Sequence, residues 1–282
     1  MDTQSTVTQE PQLALPEPAY LRTAREEVPV AAASELPRYR VLDIPFNPID
    51  RETATQECFS AIDSEKFHLL VTLGTEMVMN AQVNHTFKAI VEQADLVVPD
   101  GIGLVLAARL AGLDAPERVT GVELVHDLVS SSPEGTRFFF YGSSPGVAEM
   151  AVENMKEKLG SFDCVGIKDG YVQDLEEVLN AIEESRPHVL FVALGSPRQE
   201  AFLADNRERL ERAGVRIGVG VGGSFDVYAG TVERAPQIAQ RLHFEWLYRL
   251  WKQPSRWRRM LALPKFAIRV LLGPKRAVRV DR

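Results

Sequence analysis

A chain of 282 residues, 45% of them hydrophobic, is long enough to bury a full core. Its formal net charge of −7 argues against nucleic acid as partner of the whole chain, but the charge is uneven: residues 241–282 hold twelve Lys and Arg against two Asp and Glu, leaving the rest with 20 basic and 37 acidic side chains. The two cysteines, Cys58 and Cys164, have neither CxxC nor zinc-ligand spacing and lie in apolar neighbourhoods, which suits reduced core thiols and a cytoplasmic compartment.

In chain order, residues 1–36 mix Pro, Gln, Ser, Thr and Glu without a lasting period, and are expected to form a disordered extension. Neither a signal peptide nor a spanning helix is expected, since no basic segment precedes an apolar run at the start and no long uncharged apolar run occurs later. From residue 37 to 243, short apolar runs alternate with amphipathic helical windows. "FHLLVTL" precedes "EMVMNAQV", "DLVV" precedes "GLVLAARL", "RFFFYG" precedes "PGVAEMAVENMKEKL", "HVLFVALG" precedes "RQEAFLADNRERLE", and "RIGVGVGG" closes the series. Runs that are apolar throughout suit strands covered on both faces. The fold class is therefore α/β: a mainly parallel sheet flanked by helices in Rossmann-like layers, with a basic helical appendage from residue 244 to 282.

In such sheets ligands sit beyond the carboxyl ends of the strands, which selects the loops "TLGTE", "PDGIG", "YGSSPG", "LGSPRQE" and "GVGGSFD". In "YGSSPG", the strand ends at Tyr141, Gly142, Ser143 and Ser144 follow, and Pro145 suits a first helical position. The exposed N–H groups there would hold a phosphate, or the loop is an ordinary helix start. "GVGVGG", with Gly222 and Gly223, partly matches a dinucleotide fingerprint, but the strand-end acid that should follow is missing, which disfavours a dehydrogenase. Asp100 either caps the helix beginning near Ile102 or serves chemistry beside Gly101. Thr72 and Thr75 flank Gly74; Gln199 and Glu200 open another helix; Arg118 lies in "PERVTG". Each signal is weak alone, but together they set an acid, hydroxyls, an amide and an arginine at several strand ends of one sheet.

The ordered set "VTLGTEMVMNAQ", "ADLVVPDGIGLVLAARLAG", "ERVTGVELV", "FFFYGSSPGVAE", "DGYV", "VLFVALGSPRQE", "GVGGSFDVYAGTVERAP" and "EWLYRLWKQPSRWRRM" resembles the WecG/TagA/CpsF glycosyltransferase family over residues 38–262. The resemblance implies an inverting, metal-independent transfer of an N-acetylmannosamine-type sugar from a UDP donor to a polyprenyl-diphosphate-linked sugar. It implies Asp100 as general base, with Thr72, Gln199 and Arg118 at the reaction centre. It also implies that Arg249, Arg256 and Arg259 of the appendage complete the site. Two departures stand out: Gly74 occupies a position usually held by Asn, and Ser196 and Arg198 replace Ala and Lys. No cofactor is expected, and no DxD motif or His cluster suggests a metal.

The chemistry suits these residues without the resemblance. A carboxylate can take the proton of an attacking acceptor hydroxyl, and backbone N–H groups, helix ends and arginines can meet the charge of departing UDP. Trp246, Tyr248, Trp251, Trp257 and Phe266 among the basic residues of the tail fit an anionic membrane surface, so the protein is expected to lie peripherally on the cytoplasmic face. A chain cut before residue 244 is expected to fold but to lose vesicle binding and catalysis. A homo-oligomer is compatible with the sequence. The alternative reading is an inactive nucleotide-sugar-binding or scaffold protein, with Gly74 as the first sign of decay. A nucleic-acid binder lacks any recognition fold.

Overall fold

The apolar runs become strands because both of their faces are covered. A computed structural model describes residues 36–114, 116–232, 248 and 261–281. The elements begin with β1 (Tyr39–Val41), β2 (Ile44–Phe46), α1 (Arg51–Ile62), β3 (His68–Leu73), α2 (Thr75–Ala81), α3 (His85–Gln93), β4 (Leu96–Pro99), α4 (Ile102–Leu110) and α5 (Gly121–Ser131). They continue with β5 (Arg137–Gly142), α6 (Val147–Leu159), β6 (Asp163–Lys168), α7 (Leu175–Ser185), β7 (Val189–Ala193), α8 (Arg198–Asp205), α9 (Arg207–Arg212), β8 (Ile217–Gly220) and α10 (Ser224–Tyr228). The described end of the chain adds α11 (Ala262–Leu271), α12 (Pro274–Ala277) and β9 (Val278–Val280).

Six strands form one sheet in the order β4-β3-β8-β7-β5-β6, with every neighbouring pair parallel. Alternate residues feed two separate cores. Leu69, Val71 and Leu73 of β3 join Phe139, Tyr141, Leu190, Val192 and Phe202 on one face. Leu70 joins Phe138, Phe140, Phe191, Ile217, Val219 and Phe225 on the other. There the Phe140 ring lies 5.2 Å from Phe191 and 5.4 Å from Phe225, centroid to centroid. This α/β architecture agrees with the sequence reading, and because the strands run parallel, their carboxyl ends share one edge.

Several elements go beyond the sequence reading. A second, antiparallel sheet in the order β2-β1-β9 joins the start of the described chain to its end, with Val41 opposite both Ile44 and Val278. Phe266 and Val270 of α11 and Val278 of β9 are buried in the same core as β3. The window from Arg198 to Glu211 breaks at Asn206 into two helices. Pro145 is not a first helical residue: α6 starts two residues later at Val147, and Gly146 with φ +80° is its N-cap. The reason lies in Gly142 and Ser143, whose φ values of +123° and +61° turn the chain before the helix can begin. β5 accordingly extends through Gly142, one residue past Tyr141.

Candidate active site

The carboxyl ends of β3, β4, β5, β7 and β8 open onto a cavity of about 570 Å³, within the size range of small-molecule sites. Asp100 reaches it from the end of β4. Its main-chain N–H and that of Gly101 both donate to Leu73 O, at 3.1 and 3.3 Å, so β3 fixes the bend that presents the carboxylate. Gly101, not Asp100, is the N-cap residue of α4, and that helix has no side-chain cap bond. Thr72 is buried at the end of β3 and donates its Oγ1–H to Gly220 O at 3.0 Å. The Val119 N–H donates to Pro99 O at 3.0 Å, placing the Arg118 loop beside β4. Thr120 caps α5 through a reciprocal pair with Glu123, which sets where that loop ends.

On the other side, Ser143 links three elements. Its N–H donates to Ala193 O at 2.9 Å, its carbonyl accepts from the Gly170 N–H at 2.8 Å, and its Oγ–H donates to Asp226 Oδ2 at 3.4 Å. Gly142 approaches β7 so closely that a Cβ would stand 2.5 Å from Ala193 C; only glycine fits. The Gln199 Oε1 accepts from the N–H groups of Gly195 and Gly222, both at 3.1 Å, joining the loops after β7 and β8. The Arg198 guanidinium donates twice to Leu194 O, at 3.2 and 2.8 Å, which holds its charge at the rim.

Of the residues expected from sequence, Asp100, Thr72, Gln199, Arg118, Gly74, Gly101, Ser143, Ser144, Gly222 and Gly223 line this one cavity. Gly142 and Glu200 do not line it. Gly142 is tucked against β7, and Glu200 is fully buried behind the wall, where burial pushes its carboxyl above the ordinary range. Arg249, Arg256 and Arg259 lie outside the described residues. The sequence reading missed Tyr171, Asp226 and Leu263 as lining residues. Tyr171 follows β6, a strand too polar to stand out, and Asp226 lies in the loop "GVGGSFD" that the strand-end rule selects, without itself being singled out. Leu263 comes from the distant α11. Among the described residues no group of three or more His, Cys, Asp or Glu could hold a metal ion, and no helix is long and apolar enough to cross a membrane.

The strand ends of this parallel α/β sheet gather carboxylates, hydroxyls, glycine loops and arginines around one cavity, the lining of a small-molecule site in an α/β protein. The chain belongs to the glycosyl transferase WecG/TagA/CpsF family, whose model matches residues 39–279. It is 39% identical over 211 residues to an N-acetylglucosaminyldiphosphoundecaprenol N-acetyl-beta-D-mannosaminyltransferase of Bacillus spizizenii, covering 74% of this chain and 81% of that protein. It is 35% identical over 215 residues to a protein of the same name from Bacillus subtilis, covering 76% and 83%.

Proposed function

We propose that this glycosyltransferase moves an N-acetylmannosamine-type sugar from a UDP donor to a polyprenyl-diphosphate-linked sugar, with inversion and without a metal, in the synthesis of a cell-surface polysaccharide. The observation that carries the reading is Asp100, a carboxylate set into the cavity by strand-end hydrogen bonds beside Thr72 and Arg118. The names of the two relatives support the acceptor and the sugar.

In this reading the acceptor hydroxyl gives its proton to Asp100 as its oxygen attacks the anomeric carbon, and the bond to UDP breaks on the opposite face. Thr72, its proton committed to Gly220, offers lone pairs to a sugar hydroxyl. The developing diphosphate charge falls to the N-terminal end of α6 beyond Ser144, to the loop at Gly222 and Gly223, and to Arg198 and Arg118. Tyr171 is 56% exposed at the rim, so its ring offers the uracil base a stacking face. Asp226, already accepting from Ser143, has further acceptor capacity for ribose hydroxyls. Arg249, Arg256 and Arg259 are assigned by resemblance to closing the site from the tail. The basic, aromatic tail from residue 244 is assigned to docking on an anionic membrane surface at the cytoplasmic face, where a lipid-linked acceptor resides.

The experiment is Asp100→Asn. Its main-chain bonds remain, so the variant is expected to fold and to bind UDP with unchanged affinity by calorimetry, while turnover falls about 10²–10⁴-fold. Turnover within a factor of three of the parent would remove Asp100 from proton transfer.

A further inference from the structure

Behind the cavity wall formed by α8 lies a side chain that touches no part of the cavity. Glu200 is the third residue of α8 and 0% exposed. Its Oε1 accepts from Gln199 Nε2 at 2.8 Å, while Gln199 Oε1 accepts from the Gly195 and Gly222 N–H groups. One amide therefore joins three partners. Turned over, it would point its N–H groups at two other donors and lose both bonds, while facing its oxygen toward Glu200. The amide is also confined from below, since a Cβ on Gly220 would meet Gln199 Nε2 at 2.4 Å.

The second oxygen of Glu200 decides its proton. Glu200 Oε2 and Ser196 Oγ are both buried without a hydrogen-bond partner among the described residues, and burial, which disfavours the ionised carboxyl, outweighs the opposite pull of the nearby Gln199 and Ser196 side chains. A buried carboxylate with a single hydrogen bond is costly. As the neutral acid, Glu200 would carry its proton on the unpartnered Oε2 and leave Oε1 as a carbonyl-type acceptor for Gln199. We infer that Glu200 is a positioning residue, held as the neutral acid, which locks the Gln199 amide and through it the Gly195 and Gly222 loops that line the cavity. The kinetic consequence rests on the proposed transfer reaction; the structural one does not.

The test follows the Gln199 side-chain NH2 signal by 15N NMR together with transfer kinetics. Glu200→Gln keeps a donor and an acceptor in the same shape, so it is expected to preserve the Gln199 signal and to keep kcat and KM within about threefold of the parent. Glu200→Leu removes the acceptor; it is expected to fold, to displace the Gln199 signal, and to lower kcat roughly 10–100-fold through misplaced loops. A more than tenfold fall in kcat for Glu200→Gln would show that an ionised carboxylate is needed and would overturn the inference. So would a Gln199 signal indifferent to Glu200→Leu. If Glu200→Leu fails to fold, Glu200→Gln decides alone, retention of both signal and rate supporting the inference and loss of either overturning it. Should the parent chain transfer no sugar, the NMR signal still tests Glu200, which separates this failure from failure of the proposed reaction.

Discussion

Glu200 and Asp100 show how differently two acids at strand ends are treated. Asp100 lines the cavity, held there by its backbone, while Glu200 is sealed behind it. Burial raises the Glu200 carboxyl above its ordinary range, so as pH rises the unfolded chain releases this proton before the folded chain does. The stability contributed by neutral Glu200 is complete below the ordinary glutamate range and is lost as pH climbs through the raised folded value. Glu200→Gln removes the titration. Denaturant unfolding is expected to show the variant gaining on the parent between pH 5 and pH 8, whereas a difference independent of pH would mean that Glu200 titrates like an exposed acid. Gly74 offers a second test. A Cβ there meets nothing within 4 Å, and its φ of −91° suits any residue. Gly74→Asn, the residue that the resemblance implies at this position, is therefore expected to fold with stability changed by only a few tenths of a kcal/mol as the N-cap of α2. A large loss of stability would mean that the cavity rim is tighter than it stands here.

Among the elements, those legible in the sequence were those buried on both faces. β3, β4, β5, β7 and β8 read as unbroken apolar runs because each lies inside the sheet or under helices. β6 escaped because, unlike β4 at the opposite edge, it is only partly buried and begins and ends on charged residues, with Gly166 lying under the Phe139 ring. Tyr171, on the loop after it, was lost as a site residue for the same reason. β1, β2 and β9 are three residues each, too short to show a period, and β9 pairs with β1 across the whole length of the chain, which no local pattern reveals. Asp100, Gln199 and Ser143 were legible because small residues and polar groups directly follow apolar runs, whereas Glu200 looked the same from sequence yet turned inward. Packing between elements gives its own prediction. At Gly103 a Cβ would stand 2.6 Å from Thr75 Oγ1 and 3.3 Å from Phe266 Cε1, so Gly103→Ala must push α4 away from α2 and α11. A loss of about 1–3 kcal/mol is expected in denaturant unfolding; unchanged stability would contradict this packing.

For the whole molecule, the described end of the tail has two faces. Phe266, Val270 and Val278 are buried in the core, while Ile268, Leu271 and Leu272 are exposed, Leu272 at 84%. A chain cut before residue 244 therefore loses a strand and several core side chains, and against the expectation from sequence it should be markedly destabilised, each large side chain contributing about 1.5–3 kcal/mol. The exposed face is a better probe of membrane docking. Replacing Leu271 and Leu272 with Asp is expected to leave the fold intact and to weaken binding to anionic vesicles at least about tenfold; unchanged binding would remove α11 from the membrane face. Glycosyl transfer itself is measured by mass spectrometry of a polyprenyl-diphosphate-linked N-acetylglucosamine acceptor incubated with the full chain and a panel of UDP sugars, with and without excess EDTA. The expected result is one added N-acetylhexosamine, from UDP-N-acetylmannosamine in preference to the other donors and undiminished by EDTA. An acceptor unchanged in mass with every donor, while UDP still binds, would contradict glycosyl transfer and favour a binding protein of the same fold.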